Sequence, residues 1–320
     1  MSIGPIPIPV PMSGDPVLYR RLDWARAYLD DGEAQAAGDM LADLVAEAPH
    51  FIAAWFLLGE ARAAGGDRAG AIEAYENVLA RDGADMLGAG LRLARLGARG
   101  ARDAMSPAFV RTLFDQYAPR FDTALREGLA YRGPEVLDAA LRSACAAACA
   151  PFRFGRALDL GCGTGLAAPL LAPACDALVG VDLSPAMIEK ARQLGLYATL
   201  ETGEMVAFLA DQPPGAADLV LAADALCYLA DFDDVFRAAA RALVPAGWLA
   251  FTVETHDGAG IILRDTLRYA HGRAYLADAL AAAGFTAPVL EPVSTRTEKG
   301  VPVPGLVCVA RRAGSLTPLP

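Results

Sequence analysis

From residue 157 onward, apolar and polar positions alternate in blocks. The apolar runs at 157–160, 177–181, 219–222 and 248–253 are too short for helices and have the length of buried strands. Between them, 166–172, 185–194 and 232–243 repeat apolar residues at helical spacing. Strands and helices taking turns in this way predict an α/β fold, a mostly parallel, Rossmann-like sheet with helices on both faces. A helix at 274–283 and two further strands at 288–293 and 306–310, joined by a loop over 294–304, complete the pattern. An Ala-rich stretch at 135–149 predicts one more helix ahead of the first strand.

The first hundred residues follow another rule. Residues 21–49 superpose on 55–83, with Ala25 on Gly59, Tyr28 on Arg62, Gly32 on Gly66, Ala37 on Ala71 and Leu41 on Tyr75. The offset is that of a helical repeat of about 34 residues. In the second copy, Trp55, Leu58, Gly59, Ala71 and Tyr75 resemble the consensus of the tetratricopeptide repeat (TPR). Small residues at Ala25/Gly59 and Ala37/Ala71 would let paired helices approach, and a helix over 86–96 would cap the short stack. The expected organisation is a disordered tail at 1–14, a small all-α TPR-like domain at 15–103, a second domain at 104–312 and a tail at 313–320. The alternating prolines of the opening read as extended, solvated chain.

Composition narrows the function. With 54% hydrophobic and 21% charged residues, the chain can bury a large core and is not a disordered protein outside its ends. A net charge of -10 opposes a nucleic-acid partner, because polyanions are gripped by clustered Lys and Arg. No apolar stretch reaches the roughly 20 residues of a membrane span. The opening has neither the basic region nor the continuous apolar run of a signal peptide, so a cytoplasmic protein is expected. Six cysteines form no CxxC pair, and Cys145 and Cys149 read as two small buried thiols rather than a metal site. No metal is expected.

The segment Ala157-Leu-Asp-Leu-Gly-Cys-Gly-Thr-Gly165 is a strand running into a glycine turn that opens a helix. Glycines let the backbone approach a ligand closely. The second strand ends in Asp182, placed to accept both hydroxyls of a ribose. A dinucleotide site also fits formally, since Gly163-Thr-Gly165-Leu-Ala-Ala168 matches GxGxxA. Asp159 argues against it: a carboxylate beside the turn would repel a pyrophosphate and favour the ammonium and sulfonium of S-adenosylmethionine (SAM). The whole string resembles motif I and the acidic loop of class I SAM-dependent methyltransferases. That resemblance implies SAM as cofactor, held by Asp159, Gly161, Cys162, Gly163 and Gly165 on the first loop and by Asp182, Leu183 and Met187 on the second. It also implies an adenine site at Gly203, Glu204 and Met205, with Glu204 accepting from the adenine amino group and the Met205 amide meeting a ring nitrogen. The other reading of Glu204 is a helix N-terminal acid. Ala223 and the segment to Leu229 would pass the methionine end of SAM, and Tyr117 would cover it or simply pack.

More of the chain resembles one family. FDQYAPRFD from Phe114, GLAYRGPEVL from Gly128, LDLGCGTGL, GVDLSPAMIEKA, LVLAADALCYL, FTVET, RYAH and GVPVPGL together resemble a bacterial family of predicted methyltransferases carrying TPR repeats. The resemblance runs from the repeats to about Arg311 and implies no particular substrate.

Methyl transfer from a sulfonium is an in-line displacement, so alignment and exclusion of water come first, and a base is needed only for a protonated acceptor. Signatures for exocyclic amines, a catechol-type Mg²⁺ site or cytosine C5 are absent. The acceptor candidates lie mostly after the fifth strand, in a stretch that could form a lid. His271 is the expected base or acceptor ligand, with a satisfied hydrogen-bonding role as the alternative. Glu254 and Tyr228 are the other catalytic candidates. His256, Arg268, Tyr269 and Arg296 are candidates for acceptor binding, the arginines clamping a carboxylate or phosphate or else pairing with local acids. The expected function is methyl transfer to O, N or S of a small molecule. The alternatives are a protein or carrier-bound acceptor recruited through the helical domain, and a non-catalytic SAM-binding interaction protein. Self-association through that domain is an equal expectation.

Overall fold

The computed structural model describes residues 15–314, so the expected tail at 1–14, and that at 313–320 apart from its first two residues, lie outside it. The chain divides by its contacts into two compact units, one ending at Leu113 and the other beginning at Phe114. The sequence pattern placed this division ten residues earlier. It falls instead within a helix, α6, that straddles it.

The first unit is a stack of helices: α1 (Pro16–Asp30), α2 (Ala34–Glu47), α3 (Ile52–Ala64), α4 (Arg68–Arg81), α5 (Ala89–Arg95) and the first turns of α6 (Pro107–Tyr117). Each of the first four packs on the next. The small residues of the repeat are fully buried at Ala25, Ala37 and Ala71. At Gly59 an added Cβ would stand 2.5 Å from the Tyr75 ring, so the α3–α4 crossing requires glycine there. Tyr75 in turn donates its hydroxyl to Glu60 at 2.7 Å.

The second unit is built on a sheet of β1 (Phe154–Leu160), β2 (Cys175–Asp182), β3 (Thr199–Thr202), β4 (Ala217–Ala222), β5 (Leu243–His256), β6 (Ile261–Leu263), β7 (Tyr269–Gly272), β8 (Phe285–Val293) and β11 (Gly305–Arg312). A separate small hairpin, β9 (Thr297–Glu298) with β10 (Val301–Pro302), occupies the stretch expected to be plain loop. The main order is β3-β2-β1-β4-β5-β11-β8, parallel from β3 to β5 and antiparallel at β11 and β8. The antiparallel β11 beside β5 departs from the all-parallel doubly wound order of dinucleotide-binding sheets.

Alternation along each strand divides the core. Leu158, Val179, Val220, Phe251 and Leu306 face one way, against α11 (Met205–Asp211), α12 (Asp233–Ala242) and α13 (Arg273–Ala282). Ala157, Leu178, Leu221, Ala250 and Val307 face the other, against α8 (Gly133–Ala147) and the short α9 (Ala168–Leu171). Between α6 and α8 lies a further short helix, α7 (Phe121–Thr123), and α10 (Pro185–Gln193) packs on β2 and β3. Cys145 is buried as expected, but Cys149 is exposed, because α8 ends before it and the chain turns there with φ +51°.

β5 outruns its neighbours. Glu254 pairs with Gly305 of β11 on one side and with Ala270 of β7 on the other, beyond the end of β4. The β6–β7 ribbon therefore stands over the C-terminal end of β4, where an open α/β sheet keeps its binding crevice. Among the described residues, no helix is long and apolar enough to cross a membrane.

Candidate active site

The loops that follow β1, β2 and β4 meet at this edge. Gly161, Gly163 and Gly165 all have positive φ (63°, 56° and 88°), a region that costs other residues energy. At Gly161 a Cβ would come within 2.5 Å of Ala225, so the β1 and β4 loops touch only because this residue has none. Asp182 joins the first loop to the second: one carboxylate oxygen accepts from the Gly163 amide at 2.9 Å and the other from the Ser184 amide at 2.8 Å. Burial pushes its carboxyl up, against those two bonds, which favour the charged form. Met187 is fully buried at the start of α10, beyond the half-buried Leu183, and the Gly203 amide donates to the Asp182 carbonyl at 2.9 Å.

Three expectations change in detail. Asp159, expected beside the cofactor as an open charge, shares the α8–α9 face with Ala157 and is 2% exposed. It accepts from the Tyr197 hydroxyl at 2.7 Å, and burial raises its carboxyl to about 7. Glu204 caps α11, one of its oxygens accepting from the Val206 and Ala207 amides at 2.8 and 2.9 Å. That is the helix-terminal alternative, and it leaves Met205 as the first residue of the helix. Cys162 is buried, and its thiol pKa is raised by burial and then by Asp159 and Asp182, so it lines the loop as an inert neutral group.

A cover for these loops comes from the last turn of α6 and the segment after it, which sequence reasoning used only through Tyr117. The Asp115 carboxylate accepts from the Ser184 hydroxyl at 2.6 Å, and the Asp122 carboxylate accepts from the Thr164 hydroxyl at 2.6 Å. Phe121 lies 3.8 Å from the Cβ position of Gly163, and Phe114 stands edge-on to both Phe121 and Tyr228. Tyr117 is half-buried beneath the Arg120 guanidinium. The two acids seven positions apart in FDQYAPRFD were the available signal. Their serine and threonine partners were not legible.

The acceptor candidates gather differently from expectation. His271 is fully buried, and its Nε2 lies 3.1 and 3.0 Å from the Leu229 and Ala230 carbonyls. Neutral imidazole donates there, stacked on Tyr275, while Nδ1 is buried without a partner. Burial lowers its pKa to about 4. His271 thus takes the satisfied hydrogen-bonding role, the alternative to a general base. Tyr269 is buried too, and His256 closes its own turn, taking the Gly258 amide on Nδ1 and facing the Gly260 carbonyl through Nε2.

Glu254, Arg264, Arg268 and Arg296 do come together. Glu254 is 4% exposed and its Oε1 lies 2.6 Å from Arg296 and 3.6 Å from Arg268, with Oε2 3.3 Å from Arg264. The arginines thus pair with a local acid, the second of their two expected roles, and the ion-paired Glu254 is not a free base. Arg268 also lies over the Tyr228 ring at 5.4 Å, and burial holds the Tyr228 hydroxyl up at about 12. Ala223 is partly buried on the α8–α9 face, and the next residue, Asp224, accepts from the hydroxyls of Thr252 in β5 at 2.7 Å and of Thr295 at 2.8 Å.

Residues 158–251, from β1 through most of β5, match the family model described as "Methyltransferase domain" (Methyltransf_11). The matched stretch holds the glycine turn and Asp182 and is similar to a methyltransferase domain. The chain is 30% identical over 118 residues to the ubiquinone biosynthesis O-methyltransferase of Paracidovorax citrulli, covering 36% of this chain and 50% of that one. A second match is to a TPR repeat-containing protein of Pseudomonas aeruginosa, 45% identical over 60 residues, 19% of this chain and 57% of the other. Among solved structures, the Burkholderia thailandensis 1,6-didemethyltoxoflavin-N1-methyltransferase, with its substrate and S-adenosylhomocysteine, aligns with a TM-score of 0.46 at 19% identity, over 61% of this chain and 87% of that one. The chain thus spans half or less of the length of the first curated methyltransferases it matches.

Proposed function

We propose that this chain is a cytoplasmic enzyme that transfers a methyl group from SAM to an O, N or S atom of a small-molecule acceptor. The observation that carries the reading is the tie made by Asp182, whose single carboxylate fixes the Gly163 and Ser184 amides. Both amides belong to the loops that the resemblance to SAM-dependent methyltransferases assigns to the cofactor. SAM supplies an electrophilic methyl on a sulfonium. The glycine loop admits it, and the nucleoside would lie along Asp182, Leu183 and Gly203 with Glu204 and Met205 at the adenine end. Asp115 and Asp122, bonded to Ser184 and Thr164, hold Phe114 and Phe121 over the loops and exclude water. Tyr228 and Arg268 border the acceptor side. With His271 sealed and Glu254 ion-paired, no free base faces the acceptor among the candidate residues, which favours an acceptor that arrives ionised or nucleophilic.

The helical unit is in this reading a two-repeat TPR module with a capping helix, and its likeness to a TPR repeat-containing protein supports a role in docking a partner or a second copy. Incubating the full chain with methyl-labelled SAM and a cell extract tests the proposal. Label should enter the small-molecule fraction. Label confined to protein would favour a docked macromolecular acceptor. None in either fraction, with S-adenosylhomocysteine (SAH) bound in calorimetry, would mean a non-catalytic SAM-binding protein.

A further inference from the structure

The arginine cluster over the C-terminal end of β4 is balanced in charge and incompletely satisfied. Arg264, Arg268 and Arg296 face Glu254, Asp224 and Glu298. Two of those acids are locked. Glu254 is buried under all three arginines, and both Asp224 oxygens accept threonine hydroxyls. Glu298 is different. It sits in the two-residue strand β9, its side chain is 30% exposed, and it meets Arg296 Nη2 at 3.0 Å.

Arg296 itself is 3% exposed, and its Nη2 serves Glu254 and Glu298 while its Nε is buried with no partner. Nε–H and Nη2–H form the side-on edge of a guanidinium, which takes a carboxylate with two parallel bonds. Both acids meet that edge at Nη2 alone, and neither takes its Nε half. The Nε of Arg264 is also buried and lacks a hydrogen bond. From this cluster an aromatic line leads back to the glycine loop: Arg268 over Tyr228, Tyr228 against Phe114, and Phe114 against Phe121.

We propose that the methyl acceptor is a carboxylic acid whose carboxylate displaces Glu298 and binds Arg296 through both Nε and Nη2. This rests on the methyltransferase reading and names its substrate class. One carboxylate replacing another keeps the buried cluster neutral, whereas a phosphate dianion would leave an uncompensated charge. The hairpin β9–β10 then acts as a stand-in ligand, holding the arginine in place until the acceptor arrives.

The test uses the full chain labelled with ¹⁵N at arginine Nε, with benzoate as probe and benzamide as its neutral twin. Arg296→Lys assigns the Arg296 signal, and calorimetry measures SAH in every sample. Benzoate should move that signal saturably, benzamide should not, and Glu298→Gln, a change on the exposed hairpin, should tighten benzoate by about threefold or more while SAH affinity stays within about twofold. Arg296→Lys keeps the charge but lacks the fork, and it should weaken benzoate by about tenfold. An unmoved Arg296 signal, equal response to benzamide, response to inorganic phosphate in place of benzoate, or no tightening in Glu298→Gln would each overturn the proposal. Loss of SAH binding alone would instead strike the cofactor reading, since the benzoate titration does not depend on it.

Discussion

Tyr197 donates its hydroxyl to Asp159 at 2.7 Å, pinning the chain after α10 onto the end of β1. Asp159 pays for its burial with a carboxyl raised from 3.8 to about 7, the Tyr197 bond pulling the other way. Because the folded protein binds this proton more tightly than the unfolded chain, its stabilising contribution is complete below about pH 4 and is lost as pH rises through 7. Asp159→Asn, which keeps an acceptor for Tyr197 and cannot ionise, should gain relative to wild type between pH 5 and 8, by about 2–3 kcal/mol. Paired denaturant titrations at the two pH values check this. An unchanged difference would mean that Asp159 does not titrate in that range.

Asp182 makes two charge-assisted bonds to backbone amides of different loops. Asp182→Ala should weaken SAM or SAH by roughly 2–4 kcal/mol, from the lost tie and the lost ribose acceptor together. Calorimetry with SAH, and with NADH as a control, reads it directly. Retention of full SAH affinity would remove Asp182 from the site.

His271 should behave as a structural residue. Its folded pKa is lowered to about 4, so its stabilising contribution is present above the ordinary value of 6.5 and is lost as pH falls towards 4. His271→Ala leaves a cavity against Phe232 and Tyr275 and frees the Leu229 and Ala230 carbonyls, costing about 2–4 kcal/mol. SAH affinity of the folded fraction should hold within about twofold. A turnover loss of about a hundredfold without a stability change would restore it as a base.

In the helical unit, Gly59→Ala should destabilise by about 1–3 kcal/mol, because the new methyl meets the Tyr75 ring at 2.5 Å. Thermal unfolding measures the loss. Adding Tyr75→Leu should recover part of it, whereas additive losses would place the strain elsewhere.

The sequence by itself determined the succession of elements. Short apolar runs located β1, β2, β4 and β5 and period-3.6 patterns their helices, because those strands are buried on both faces and bounded by turn residues. It also determined the glycine loop and Asp182, since backbone that must adopt positive φ at Gly161, Gly163 and Gly165 leaves its mark as glycine. The short ribbon β6–β7 and the hairpin β9–β10 were not legible, being two to four residues long with no period to read. Nor were the partners of the polar side chains. Whether His271 faces solvent or the Leu229 and Ala230 carbonyls, and whether Asp159 meets a cofactor or Tyr197, depends on residues 38 or more positions away. Local pattern fixes which face of an element a residue occupies, whereas ionisation and reach are set by what the rest of the chain packs against that face, and this only the tertiary structure decided.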